Sequence, residues 1–350
     1  VITLLLLTAA LAESPSLSEV LDSVDAHFPL LVAAESSTDA ARSELLGARG
    51  AFDPVLGASG LSAWGPYPQT RAAVGVRSNT AAWGLDLDAG WSWGRGDIPA
   101  YDGDLKTLAG GELYLAARLP LLKGGFTDEA RTALRLGRAE IAAAEAKVLL
   151  TRLKAGFGAR EAWFKWLGAG EKLRVARRMA ELATTTRDAV QSRITQGDAA
   201  PIELVDAERV LAERAVKVRE LERDLQIAAQ KLGLYLRDDA GAPAPPASEP
   251  TTLPAPTDAP LDLDAALRDA LTQRPELLAL AAKQDALRAS LQLARISVLP
   301  KLDLKLGVEQ DLPGADEDSE PLEVKFGGEF SLPLALRAGR GKLDAVQAKL

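Results

Sequence analysis

The 350-residue sequence has no cysteine, one histidine and one methionine. Without cysteine there is no disulfide framework, no thiolate nucleophile and no sulfur-ligated zinc. The single histidine, His27, excludes paired-histidine metal motifs such as H-E-x-x-H. No run reaches the roughly eighteen apolar residues of a membrane-spanning helix. Positive charge is also short: 41 Lys and Arg against 49 Asp and Glu leave a net charge of −8. That is the wrong sign for a nucleic-acid binder. What remains favours structure, transport or binding, with no enzyme activity, metal or cofactor expected.

What is present begins with an apolar stretch from Ile2 to Ala12 that ends in Ala10-Leu11-Ala12. It is too short to cross a bilayer and reads as the end of an export signal over residues 1–12, its basic start lying upstream. An exported chain without a membrane helix is periplasmic, secreted or part of an outer-membrane barrel.

The chain repeats itself. Residues 17–62 slide onto 263–308 without a gap, matching Leu17 with Leu263, Leu21 with Leu267 and Pro29 with Pro275. Asp39-Ala40-x-Arg42 then meets Asp285-Ala286-x-Arg288, Ala48-Arg49 meets Ala294-Arg295, and Pro54 meets Pro300. Leu119-Pro120-Leu121 recurs as Leu332-Pro333-Leu334. Copies so far apart indicate a duplicated half rather than a solenoid. The first repeat is placed at 13–237 and the second at 261–350. A Pro-rich linker over 238–260 separates them.

Inside the first repeat, Asp128 to Ile194 is free of proline and rich in Ala, Leu, Glu, Arg and Lys. Such a helix would run about 100 Å. Leu134, Ile141, Val148, Ala155, Ala162, Ala169, Ala176, Ala183 and Val190 form a heptad seam of mostly small side chains. Gly156, Gly158, Gly168 and Gly170 predict a bend or break near its middle. Gly197 suits a left-handed helix end and Asp198 a following N-cap. A second seam, Leu204, Leu211, Val218, Leu225 and Leu232, follows. The two seams predict an antiparallel hairpin over 127–236 with its turn at 195–201.

Strand signals fall between 53 and 119 and again at 301–310 and 322–332, the latter pair after a helix over 263–298. In the second repeat Leu322, Val324, Phe326, Phe330 and Leu332 alternate with Glu323, Lys325, Glu329 and Ser331. Leu302, Leu304, Leu306 and Val308 alternate likewise with Lys301, Asp303 and Lys305. In the first, Leu85, Leu87, Ala89, Trp91 and Trp93 oppose Asp86, Asp88 and Ser92, while Leu113, Leu115, Ala117 and Leu119 oppose Glu112, Tyr114 and Arg118. The fold class is therefore α+β. Alternation alone fits a half-buried soluble sheet; together with export and the lack of a bulky apolar helix to cover it, it fits a membrane barrel. Two segments per repeat, and up to four in the first, cannot close one, since the smallest barrels need about eight strands. A barrel must be shared between chains.

These duplicated Pro29…Ala48-Arg49…Pro54 and Pro275…Ala294-Arg295…Pro300 blocks resemble the TolC-type outer-membrane efflux proteins. So do the strand ends Leu119-Pro120-Leu121-x-x-Gly124-Gly125 and Leu332-Pro333-Leu334, and the turn Gln196-Gly197…Leu204-x-Asp206-Ala207. The resemblance implies a homotrimer in the outer membrane, four strands per chain in one barrel, and a helical tunnel through the periplasm. It implies a passive channel in a tripartite efflux or type I secretion system, partnered by a periplasmic adaptor and an inner-membrane transporter. Gln196, Gly197, Leu204, Asp206 and Ala207 would meet the adaptor, and Asp86, Asp88, Glu112, Asp303, Lys305, Glu323, Lys325 and Glu329 would face the lumen. Pro54 to Pro120 is about twice the span from Pro300 to Pro333, so an extra hairpin around 70–95 is expected to project at the outer surface. The second long hairpin is expected to begin at Lys342-Leu343-Asp344-Ala345 and to be cut short at Leu350. An adaptor with a helical hairpin is the alternative, although nothing in an adaptor requires the repeat. Trp64, Trp83, Trp91, Trp93, Tyr67 and Tyr101 form either an aromatic girdle or ordinary sheet packing; Trp163 and Trp166 read as packing residues.

Overall fold

The computed structural model describes residues 14–98, 106–238, 240–256, 260 and 262–350. The export signal expected over 1–12 and Tyr101 lie outside them. Helices α1 (Leu17–His27) and α2 (Pro29–Arg49) precede strands β1 (Val55–Ala63), β2 (Gln69–Asn79), β3 (Asp86–Gly96) and β4 (Glu112–Pro120). Then come α3 (Glu129–Thr195), α4 (Pro201–Leu232), α5 (Leu263–Gln273), α6 (Pro275–Ser297), β5 (Lys301–Asp311), β6 (Glu323–Ser331) and α7 (Arg337–Gln347).

Prolines punctuate the repeat. The Ser16 hydroxyl accepts from the Glu19 N–H, and the Glu19 carboxylate accepts from the Ser16 N–H, starting α1 with a capping box. Asp262 caps α5 through the N–H groups of Asp264 and Ala265. Each of these 11-residue helices ends two residues before a proline, Pro29 or Pro275, because the residue ahead of proline, Phe28 or Arg274, is pushed into extended geometry. The single helix expected over 263–298 is therefore two.

The chain divides into two compact units. One comprises the described residues up to Ser36 together with Ala146–Pro275; the other comprises Ser37–Glu145 and Glu276–Leu350. In the first, α1 packs on α3 and α4 through Val20, Val24, Ala155, Ala159, Trp166, Leu167 and Leu232, all buried. Trp166 is 1% exposed, and its loss would cost about 3–5 kcal/mol. The Trp163 indole donates to the Pro15 carbonyl at 2.9 Å, and Phe28 stacks on Tyr235 at 5.7 Å. Along both heptad seams no member is fully exposed, while charged residues occupy the outer faces.

Helix α3 runs 67 residues without a break, so the expected interruption at its glycines does not occur. Two of them serve close approach instead. A Cβ at Gly158 would strike Tyr235, and one at Gly170 would overlap the ring of Pro250 in the returning Pro-rich segment. Arg174 donates to the Pro250 carbonyl and Arg177 pairs with Glu249 at 2.8 Å, fixing that segment on the helix. Gly168 faces open space.

The second unit holds one antiparallel sheet of six strands in sequential order, β1 through β6. Residues 69–96, expected to project, are its second and third strands in unbroken register between β1 and β4. Their connection is a tight turn at Trp83 (φ 59°) and Gly84 (φ 67°), with Leu85 N–H donating to Ala82 and Thr80 N–H to Leu85. Positive φ at both central residues matches the twist of the strands. A Cβ at Gly84 would lie 2.7 Å from the Gly124 carbonyl, so this turn is seated on the β4–α3 junction. At the other end of the sheet, Glu317 accepts from the N–H groups of Ala109 and Gly314 at 2.7 and 2.8 Å, joining the β3–β4 and β5–β6 loops.

Two predictions follow from this packing. Gly168→Ala should stabilise by about 0.5–1 kcal/mol through helix propensity, while Gly170→Ala should destabilise by about 1–3 kcal/mol through overpacking; thermal unfolding of both variants reads the opposite signs. The N–H groups of Gly314 and Ala109 hold the Glu317 carboxyl below its ordinary value. Its folded pKa is depressed, so its contribution is present above the unfolded value and lost as pH falls through the folded one. Protection of the Ala109 and Gly314 amides, relative to their intrinsic exchange, should therefore fall as pH drops below the ordinary glutamate range, and Glu317→Gln should show the reduced protection already at neutral pH.

Candidate functional site

Directly opposed residues in a ladder share a face, so the register sorts the strands into two surfaces. One row runs Leu56–Val76–Ala89–Leu115–Val308–Val324 across all six strands. Above and below it lie Ala58–Val74–Trp91–Leu113–Gln310 and Ser78–Leu87–Ala117–Leu306–Phe326. Arg95, at the end of β3, is the charged residue of this face among the described residues. The large side chains stand uncovered: Leu56 is 73% exposed, Phe326 76% and Phe330 65%. No helix of the described chain buries them.

The other face carries the charge. Asp86 lies beside Arg118 and Lys305, Asp88 beside Arg77, and Lys325 faces Gly307 in the same row as Asp88. Glu112 faces Asp311, Glu323 faces Glu309, and Asp303 faces Glu329. All eight residues proposed from sequence as lumen-facing thus share one surface, together with Arg71, Arg77, Glu309 and Asp311, which sequence reasoning missed. Arg71 and Arg77 keep the alternation of β2, but Thr70 and Ser78 on its apolar face and its many small residues dilute the apolar signal. The register supplies what the pattern lacked.

Opposite charges on this face are knitted together. Arg118 bridges Asp86 and Asp303, Lys301 bridges Asp303 (3.2 Å) and Glu329 (2.8 Å), and Lys305 reaches Glu329 at 2.7 Å. Arg77 pairs with Asp88 at 2.7 Å, and Lys325 with both Glu309 and Glu323. Asp303 is 1% exposed, and its Oδ1 has no hydrogen-bond partner among the described residues. It lines a cavity of about 520 Å³ where the sheet meets the helix ends. Tyr114 lies over Gly75 and Gly90, whose missing side chains make room for its hydroxyl, an aromatic cover for glycine in a sheet. Toward the loop ends, Glu309 and Glu323 pair with Lys325, Glu112 and Asp311 face each other beside them, and Arg71 is a further cation of this face. Among the described residues no group of His, Asp and Glu could hold a metal ion.

Aromatic residues mark both ends of the sheet. Trp64 (90% exposed) and Tyr67 occupy the β1–β2 loop and Trp83 the opposite turn, while Trp91 and Trp93 lie on the apolar face.

The second candidate region is the α3–α4 turn. Asp198 N–H donates to Arg193 and Gly197 N–H to Ile194, closing a Schellman end around Gly197 at φ 84°. The N-cap position belongs to Ala200 rather than the expected Asp198: Pro201 opens α4, and the Glu203 carboxylate reaches back to the Ala200 N–H. Gln196, Gly197 and Asp206 are exposed, whereas Leu204 and Ala207 are half-buried toward the seam. Ile202 and Val205, 66% and 59% exposed, were missed. Their place off the Leu204 heptad position was the available signal.

No protein-family model matches the chain, and no curated protein matches it. Solved structures do. The outer-membrane channel OprN is 18% identical with a TM-score of 0.59, covering 95% of this chain and 69% of its own. CusC, solved in work on folding and transmembrane channel formation, is 16% identical with a TM-score of 0.60 and the same coverage. The open state of the Neisseria gonorrhoeae outer-membrane channel MtrE is 16% identical with a TM-score of 0.60, covering 96% of this chain and 67% of its own. With its long helices in hairpins and its two-faced antiparallel sheet, the chain has the fold of the TolC-type outer-membrane efflux channels.

Proposed function

We propose that the protein is a subunit of a passive outer-membrane conduit, working as a homotrimer with a periplasmic adaptor and an inner-membrane transporter in tripartite efflux or type I secretion. The observation that carries this reading is the uncovered apolar face backed by a charged one. Strands of nine to eleven residues, tilted by about 40°, span roughly 25 Å, the height of a lipid-facing band. The apolar rows would meet hydrocarbon, and Asp86, Asp88, Glu112, Asp303, Lys305, Glu323, Lys325 and Glu329 would meet water in the lumen. A periplasmic adaptor would have no use for such a surface. The α3–α4 turn would dock the adaptor through Gln196, Gly197 and Asp206 with the exposed Ile202 and Val205, Leu204 and Ala207 supporting them from the seam.

Ion pairing leaves the helix end of the lumen nearly neutral and the loop end acidic, so the conduit should favour cations. Reconstituted in planar bilayers, the full-length protein should give stepwise conductance with cation permeability several-fold above anion. Glu112→Gln with Glu323→Gln should bring the ratio toward unity. A protein that purifies from the soluble periplasm as a monomer and never conducts would end this reading.

A further inference from the structure

Resting on the conduit reading above, we infer that each copy contributes six strands rather than four to the wall, so that three copies join β6 to β1 in an 18-stranded barrel.

The β2–β3 hairpin is built as wall. Its register is uninterrupted with β1 from Gln69 to Arg77 on one side and with β4 from Asp86 to Ser92 on the other. Its apolar residues, Val74, Val76, Leu87, Ala89 and Trp91, fall into the rows that β4, β5 and β6 continue. Its charged residues, Arg77, Asp86 and Asp88, face the opposite way and pair with each other and with Arg118. A hairpin projecting into water has no need of such sorting. Its turn is also anchored at the helix end of the sheet, Gly84 against Gly124 and Pro120.

Six strands still leave two edges. Among the described residues, nothing pairs with the outer side of β1 or of β6. Hydrocarbon supplies no substitute for the missing hydrogen bonds, so both edges need a partner strand. A second copy of this chain fits them. In an up-and-down order of six, β1 and β6 run antiparallel, each is nine residues long, and β1 carries neither charge nor proline. Their side chains are complementary in size. β1 presents Gly57, Ala58, Ser59 and Gly60, while β6 presents Phe326, Phe330 and Glu329. Small residues along one edge leave space for the large ones of the other. At a strand spacing of about 4.8 Å and a tilt of about 40°, twelve strands enclose a backbone diameter of about 24 Å and eighteen about 36 Å. The open cross-section is then roughly twofold larger.

The test exploits the absence of cysteine. In the full-length protein in outer-membrane vesicles, Ser59→Cys is combined in turn with Lys325→Cys, Gly327→Cys and Glu329→Cys, which share its face. Oxidation of the pair in register should yield covalent species up to three chains and none larger; single variants should stay uncoupled. In parallel, Ala73→Cys should react with a water-soluble maleimide and Val74→Cys only with a lipid-phase one. A ladder ending at two chains would mean twelve strands and overturn the inference. Conductance without β1–β6 coupling, with both residues 73 and 74 water-reactive, would overturn it and leave the conduit standing. No conductance and no coupling would remove both.

Discussion

On the proposed reading, backbone hydrogen bonding in hydrocarbon is the constraint on which the rest of the structure depends. A sheet whose apolar face meets lipid must satisfy every N–H and C=O within itself or within a copy of itself. The six-strand ladder does so internally, from β1 to β6, and leaves only two edges open. From that constraint follow the need for other subunits and the sorting of side chains by strand parity. It also explains why the sheet's charges are gathered on one surface. The helices contribute a different solution to burial. They hide a narrow seam of small residues and rely on α1 and the Pro-rich return segment for bulk, through Trp166, Phe28 stacked on Tyr235, and Pro250 against Gly170.

The charged face is as ordered as the apolar one. An isolated carboxylate on a lumen wall would draw counter-ions one at a time, but Asp86, Asp303 and Glu329 are each held by an Arg or Lys on a neighbouring strand. The exposed pairs on this face, such as Lys305 with Glu329, add little stability. Their effect is to cancel field at one end of the sheet and leave the acidic group around Glu112 and Glu323 to act at the other. Selectivity in such a wall is set by which charges remain unmatched.

Much of this was legible beforehand because it is periodic. Alternation in β5 and β6 named Asp303, Lys305, Glu323, Lys325 and Glu329 as one surface, and the repeat with its prolines identified the α+β organisation and the fold. The failures have physical reasons. Gly158 and Gly170 look like helix breakers in isolation, and only tertiary contact reveals them as clearances for Tyr235 and Pro250. The hairpin around 70–95 was expected to project because Pro54 to Pro120 spans about twice Pro300 to Pro333, and the small, partly polar β2 gave no alternation strong enough to place it in the sheet. Asp198 is not the N-cap because it completes the Schellman end around Gly197, and α4 starts only at Pro201, which puts the cap at Ala200. Long-range register, which no local pattern carries, brought Arg77 to Asp88 and Arg118 to Asp303.

The most direct measurement is a nitroxide scan along β5, one site at a time from residue 301 to 308, in the full-length protein in lipid. Collision rates with oxygen and with a water-soluble nickel complex would be read at each site. Labels at 302, 304, 306 and 308 should be oxygen-accessible and labels at 301, 305 and 307 nickel-accessible, with a period of two and a dip at the buried position 303. Even-numbered sites shielded from both reagents, as beneath a layer of helices, would contradict the account.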